Sequence, residues 1–121
     1  MNTHKIGAYY EGVAARYLQK KGYRILQRNF RCRQGEIDIV ALDGRTIVFV
    51  EVKYRRGKST GYPEEAVTLH KQRVISRTAD FFRVRYRVQE EIPCRFDCVA
   101  LAGEEIRHYE NAFDYIPPGQ R

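Results

Sequence analysis

Gly35-Glu36-Ile37-Asp38-Ile39-Val40-Ala41-Leu42-Asp43-Gly44-Arg45-Thr46-Ile47-Val48-Phe49-Val50-Glu51-Val52-Lys53-Tyr54 holds two runs rich in Ile, Val and Phe, joined by Asp-Gly. That pattern is the strongest short-range hairpin signal a sequence offers, so strands are expected over 34–42 and 45–54. With Asp43-Gly44 as a two-residue turn, Leu42 faces Arg45, Val40 faces Ile47, Asp38 faces Phe49 and Glu36 faces Glu51. Alternation then gathers Glu36, Asp38, Glu51 and Lys53 on one sheet face. Like charges opposed on a sheet repel and buried carboxylates are costly, so something has to compensate. A solvated polar face screened by Lys53 is one solution. The apolar flanks 37–40 and 47–50 favour a covered central sheet instead, and with it a divalent cation. Mg²⁺ binds one or two carboxylates together with waters and phosphate oxygens. Asp38 and Glu51, read as diagonal neighbours roughly 7 Å apart, can both reach one ion. Lys53 beside them is placed to orient or help deprotonate a water, or to neutralise developing phosphate charge.

Outward from the hairpin, Ile6, Tyr10, Val13, Ala14, Tyr17 and Leu18 recur at helical spacing over 5–21, with Gly22 where a C-cap belongs. Tyr9, Tyr10 and Tyr17 fall at helical spacing as core or core rim. A first strand is expected over 23–31. A polar, Gly-bearing loop occupies 57–62, and a second helix starts between Pro63 and Thr68 and runs to about Phe82. Cys94–Leu101, introduced by Pro93, reads as a strand, and Glu105–Tyr109 as a short edge strand. The order α-β-β-β-α-β(β) gives an α/β sandwich, a mixed central sheet flanked by helices, expected as a single domain over 1–121.

Of 121 residues, 22 are Lys or Arg and 15 Asp or Glu, a net charge of +7 that suits a polyanion. No stretch approaches the roughly 20 apolar residues of a membrane span, and the N-terminus as given has no apolar block behind Lys5. No membrane partner is expected, and the expected location is cytoplasmic. The cysteines Cys32, Cys94 and Cys98 lack zinc-site spacing and read as reduced thiols. Cations crowd the end of the hairpin: Arg55, Arg56 and Lys58 follow Lys53 and would meet a phosphodiester backbone. Lys71 and Gln72 open the second helix, where they either line the site or form an ordinary helix surface. Arg83, Arg85 and Arg87 alternate with Val84, Tyr86 and Val88, a cationic face if the stretch is extended.

An acid, a hairpin and then Glu51-Val52-Lys53 resembles the PD-(D/E)xK nuclease motif, with Ile37-Asp38 as its first half. More of the chain agrees: Gly7, Glu11, Ala14 and Leu18, Gly22-Tyr23, Asn29, Gly35-Glu36-Ile37-Asp38, Phe49 to Lys53, Lys71-Gln72-Arg73, Arg95-Phe96-Asp97 and Asn111-Ala112-Phe113. This series resembles the YraN family of bacterial proteins, similar in turn to archaeal Holliday junction resolvases, from about Lys5 to Tyr115. The resemblance implies a restriction-endonuclease-like fold and a metal-dependent endonuclease acting on DNA, favoured over RNA, branched or single-stranded forms included. It implies that Asp38, Glu51 and the Val52 carbonyl bind Mg²⁺ or Mn²⁺, that Glu11 completes the metal site, and that Lys53 serves the attacking water. Resolvases cut as dimers, so a homodimer is among the states it allows. Ile37 stands where the motif has proline. Glu36 is an extra acid that binds a second ion or turns outward at a bulge. Asp97, beside Arg95, is read as a structural ion pair or hydrogen bond. The rival reading is a nucleic-acid-binding protein with the nuclease fold and little catalysis.

Overall fold

A computed structural model describes residues 3–55 and 67–119. In chain order the elements are α1 (Thr3–Lys20), β1 (Arg24–Cys32), β2 (Gly35–Asp43), β3 (Thr46–Arg55), α2 (Leu69–Arg85), β4 (Cys94–Ala102) and β5 (Glu105–Phe113). The five strands form one sheet in the order β1-β2-β3-β4-β5. Only β3 and β4 are parallel, because α2 lies between them in the chain and a parallel pair needs a crossover. Helix α1 covers one face, with Ala14 and Leu18 against Ile39, Ala41, Val48, Val50 and Val99. Helix α2 covers the other, with Ile75, Ala79 and Phe82 against Val40, Phe49 and Phe96. Strands covered on both faces read as unbroken apolar runs, as 39–42 and 47–50 do here. The expected α/β sandwich with a mixed sheet is the fold observed.

Helix α1 ends as its Gly22 signal requires. Gly22 takes φ +97°. Tyr23 N–H bonds Leu18 C=O at 3.0 Å and Gly22 N–H bonds Gln19 C=O at 3.0 Å, the paired bonds of a Schellman cap. Helix α2 starts behind Thr68, whose hydroxyl accepts the Lys71 amide hydrogen at 3.1 Å. It runs to Arg85, past the expected end at Phe82. The stretch read as alternating and cationic is therefore the last helical turn and its cap. Packing decides this: Phe82 and Tyr86, one helical turn apart, both meet Phe30 of β1, and Arg83 ties back to the Gln89 and Ile92 carbonyls.

The hairpin register differs from the expected one by two residues. Val40 faces Phe49, Leu42 faces Ile47 and Asp43 faces Thr46, so the turn is Gly44-Arg45. Gly44 has φ +61° while neither Asp43 nor Arg45 is positive. A two-residue turn with only its first position positive is of the II′ kind, which puts glycine first. Because the slip is even, Asp38 still shares its parity with Glu51. Strand β5 extends beyond the expected Tyr109 to Phe113, across a bulge opposite Phe96–Cys98.

Candidate active site

The site forms where the hairpin opens. The paired ladder of β2 and β3 ends at Ile39 and Val50. Beyond it, Asp38 Oδ2 accepts the Val52 amide hydrogen at 2.8 Å, so a side chain takes an amide beyond the end of that ladder. Ile37 packs in the α2-side core and Ile39 in the α1-side core, although they are two residues apart. Strand β2 thus rolls over at Asp38. Strand β1 rolls beside it: Phe30 belongs to the α2 side, Arg28 bonds the Ala8 carbonyl of α1, and Asn29 between them has φ +54°. Asparagine is among the few residues that accept that conformation without a large penalty.

The roll corrects the expected acid face. Glu36 does not join Glu51: its carboxylate takes the Arg31 Nε hydrogen at 2.5 Å. It lines an α1-side cleft of about 550 Å³ with Gly7, Glu11, Asn29, Arg31 and Tyr54. Parity assigns faces only while a ladder stays regular. Asp38 lies between the two sides and feels the charges of Glu51 and Glu11. Glu51 is 6% exposed, and its Oε2 is 3.5 Å from Lys53 Nζ and 3.7 Å from Lys71 Nζ. The two lysines flank a carboxylate that burial would otherwise leave uncompensated.

Asp38 remains short of positive charge. Burial, and next the charge of Glu51, push its carboxyl up to about 8 despite the Val52 amide. Burial also raises Glu11, against the opposing pull of Asn29 and Arg28. Glu11 Oε1 is buried with no hydrogen-bond partner among the described residues. Acids raised in this way and an orphaned carboxylate oxygen are what a divalent cation relieves. Among the described residues no three His, Cys, Asp or Glu side chains converge as a ready ligand set. Asp38 and Glu51, within each other's field and with Glu11 near them, are the side chains that could hold such an ion.

Gln72 spends its side-chain amide on the Val67 carbonyl, with Nε2 donating at 3.0 Å. Arg55 ends β3, whereas Arg56 and Lys58 lie outside the described residues. Tyr54 stacks on Tyr10 of α1, with centroids 4.4 Å apart, and so joins that helix to the strand carrying Glu51. Residue reading missed Arg31 and the Val52 amide. The one signal for Asn29 outside the motif series is an asparagine set within a strand of larger side chains.

Asp97 belongs to a separate network, the structural ion pair expected for it. It is fully buried and takes hydrogens from Arg95 Nε at 3.0 Å and the Asn111 amide at 2.9 Å. His108 Nε2 lies 2.7 Å from it. Burial alone would raise this carboxyl, but the bonds from His108, Arg95 and Asn111 outweigh it and hold it below the ordinary carboxylate range. Arg95 continues to Asp43 and Tyr23, which fastens β4 to the hairpin turn and the start of β1.

No helix among the described residues is long and apolar enough to cross a membrane. The model of the uncharacterised protein family UPF0102 matches residues 10–101. A UPF0102 protein of Lachnoclostridium phytofermentans is 53% identical over 114 residues, 94% of this chain and 97% of its own length. Others from Caldicellulosiruptor saccharolyticus and Geobacter metallireducens are 50% and 46% identical, covering 84% and 94% of this chain and 85% and 96% of theirs. Similarity at this level along nearly the whole chain means that the chain belongs to the UPF0102 family, the one its motif series resembles under the name YraN.

Proposed function

We propose that the protein is a metal-dependent nuclease that hydrolyses phosphodiester bonds of DNA. The observation that carries this reading is the Asp38–Glu51 pair at the point where β2 and β3 part, with Lys53 3.5 Å from Glu51. A pure binder of polyanions gains nothing from converging acids, which repel phosphate. Asp38, Glu51 and the Val52 carbonyl would hold Mg²⁺ or Mn²⁺, and Glu11, with its buried Oε1, is the further acid within their field. When bound, such an ion polarises a phosphoryl oxygen and lowers the pKa of water. The chain's own residues do the rest. Lys53 orients the attacking water beside the acids, and Lys71 holds Glu51 from the α2 side. Arg55, with Arg56 and Lys58 after it, meets the phosphates on either side of the scissile bond.

The test is cleavage of labelled linear, flapped and four-way DNA in Mg²⁺ or Mn²⁺ by wild type and Asp38→Asn. Cutting by wild type that the variant loses supports the reading. Binding without cutting in every substrate favours a nucleic-acid-binding protein that keeps the fold.

A further inference from the structure

The second half of β1 and the end of α2 enclose a groove of about 660 Å³, apart from the acid site. Its floor is Phe30, and its sides carry Phe81, Tyr86, Arg31, Arg33 and Arg85. Phe81 is 39% and Tyr86 49% exposed, yet both rings are held. Phe30 lies 6.2 Å from Phe81 and 6.3 Å from Tyr86 between centroids, and Phe82 backs Tyr86 at 4.7 Å. The Tyr86 hydroxyl donates to Gln27 Oε1 at 3.2 Å, and the Arg85 guanidinium lies 5.7 Å from the Tyr86 ring. Rings fixed in place and partly exposed lose little entropy when a flat partner stacks on them.

The charge of the groove chooses that partner. Three guanidinium groups reach it and no carboxylate lines it. Arg31 is paired with Glu36, while Arg33 and Arg85 make no ion pair among the described residues. An apolar helix would bring no anion for them, and a second copy, with 22 Lys and Arg against 15 Asp and Glu, would bring net positive charge to a positive groove. Aromatic faces interleaved with guanidinium groups are the recurring platform for unpaired nucleotides, whose bases stack while phosphates take the cations. Duplex DNA hides its base faces and cannot use the rings. The groove also begins beside the acids, since Phe30 pairs with Ile37 and Arg31 with Glu36 in the β1–β2 ladder.

We infer that this groove binds a single-stranded stretch of DNA, with bases on Phe81 and Tyr86 and phosphates on Arg33 and Arg85. Resting on the nuclease reading, this makes the substrate a DNA with an unpaired segment beside the cleaved bond.

Fluorescence anisotropy tests it without metal, in EDTA, on the full chain with labelled oligo-dT and a blunt duplex of equal length. The variants are Phe81→Ala and the double variant Arg33→Glu/Arg85→Glu. The arginines are exposed, so their loss spares the core. Each should weaken oligo-dT binding roughly fivefold to a hundredfold and change duplex binding less than threefold. Unchanged oligo-dT affinity, equal losses on both DNAs, or no oligo-dT binding by wild type at low salt would each overturn the inference. So would a dimer in sedimentation that Phe81→Glu dissolves. A protein that cuts DNA but binds oligo-dT independently of these residues sinks the groove alone. A protein that uses the groove and cuts nothing sinks the nuclease reading alone.

Discussion

Replacing Asp38 with asparagine should make the metal-free protein more stable, and the gain should grow with pH. In the folded chain the Asp38 carboxyl is pushed up to about 8 from an ordinary value of 3.8. The unfolded chain therefore releases this proton at lower pH than the folded one. Where the unfolded state binds fewer protons, stability falls as pH rises. The loss starts near pH 4 and is complete near pH 8. At pH 7 the gap is about 3 units at about 1.36 kcal/mol each, an upper limit near 4 kcal/mol. Asparagine is itself a buried polar group, so the share of that limit that the substitution recovers is on the order of 2 kcal/mol. Asparagine keeps the shape: its oxygen can accept the Val52 amide and its NH₂ can face Glu51. For a domain of this size about 4 °C accompanies each kcal/mol, so Tm should rise by roughly 8 °C. The assay is thermal melting by circular dichroism at pH 5, 6, 7 and 8 in EDTA, reading the variant minus wild-type difference. A variant less stable than wild type at pH 8, or a difference that stays flat with pH, would refute the reasoning.

Asp97→Ala should cost about 3–5 kcal/mol in urea unfolding, because it strands Arg95 and His108 around a buried gap. With its folded carboxyl held low, Asp97 contributes stability present above the unfolded value near 4 and lost as pH falls below it. An acid-unfolding midpoint unmoved in Asp97→Asn would contradict that. Gly35→Ala brings a Cβ within 2.5 Å of a Val74 methyl and 3.1 Å of Thr78 Oγ1, so thermal melting should show a loss of about 1–3 kcal/mol from overpacking. DNA affinity should fall steeply with salt, with a log–log slope of several units if about five or more cations engage. Arg55→Ala/Arg56→Ala should weaken all sequences alike in anisotropy titrations, and an unchanged affinity would remove these residues from the interface.

The central strands were legible because both their faces are covered, which makes 39–42 and 47–50 apolar runs on either side of the turn. The register was misplaced because Asp-Gly suits a turn with two positive φ values, whereas only Gly44 is positive. The shift of two left parity unchanged within the ladder, and Asp38 stays beside Glu51. Glu36 was misplaced because alternation holds only within a ladder, and the ladder ends at Ile39, one residue short of Asp38. Nothing in the local pattern announces that opening, which depends on a side chain taking the Val52 amide. Glu11 lies on α1, far along the chain from the acids it influences, so only the motif series pointed to it. Arg83 to Val88 alternates like a strand, and the contacts of Phe82 and Tyr86 with Phe30 override that pattern. Strand β5 was cut short because its end is polar and bulged, with Asn111 at φ 52° and its amide spent on Asp97.

The most direct measurement is the cleavage rate of a labelled DNA with an unpaired flap in Mg²⁺, compared between wild type and Lys53→Ala, with DNA affinity measured for both. Lys53 is the cation of β3 beside Glu51, and Lys71 remains to pair Glu51 in the variant. Loss of one well-placed electrostatic group at a reacting centre costs about 2.7–4 kcal/mol, so cleavage should slow by about 10²–10³. Affinity should fall by no more than one lost cation contributes. Equal cleavage by wild type and variant, or a loss wholly accounted for by weaker binding, would contradict the assignment of the site.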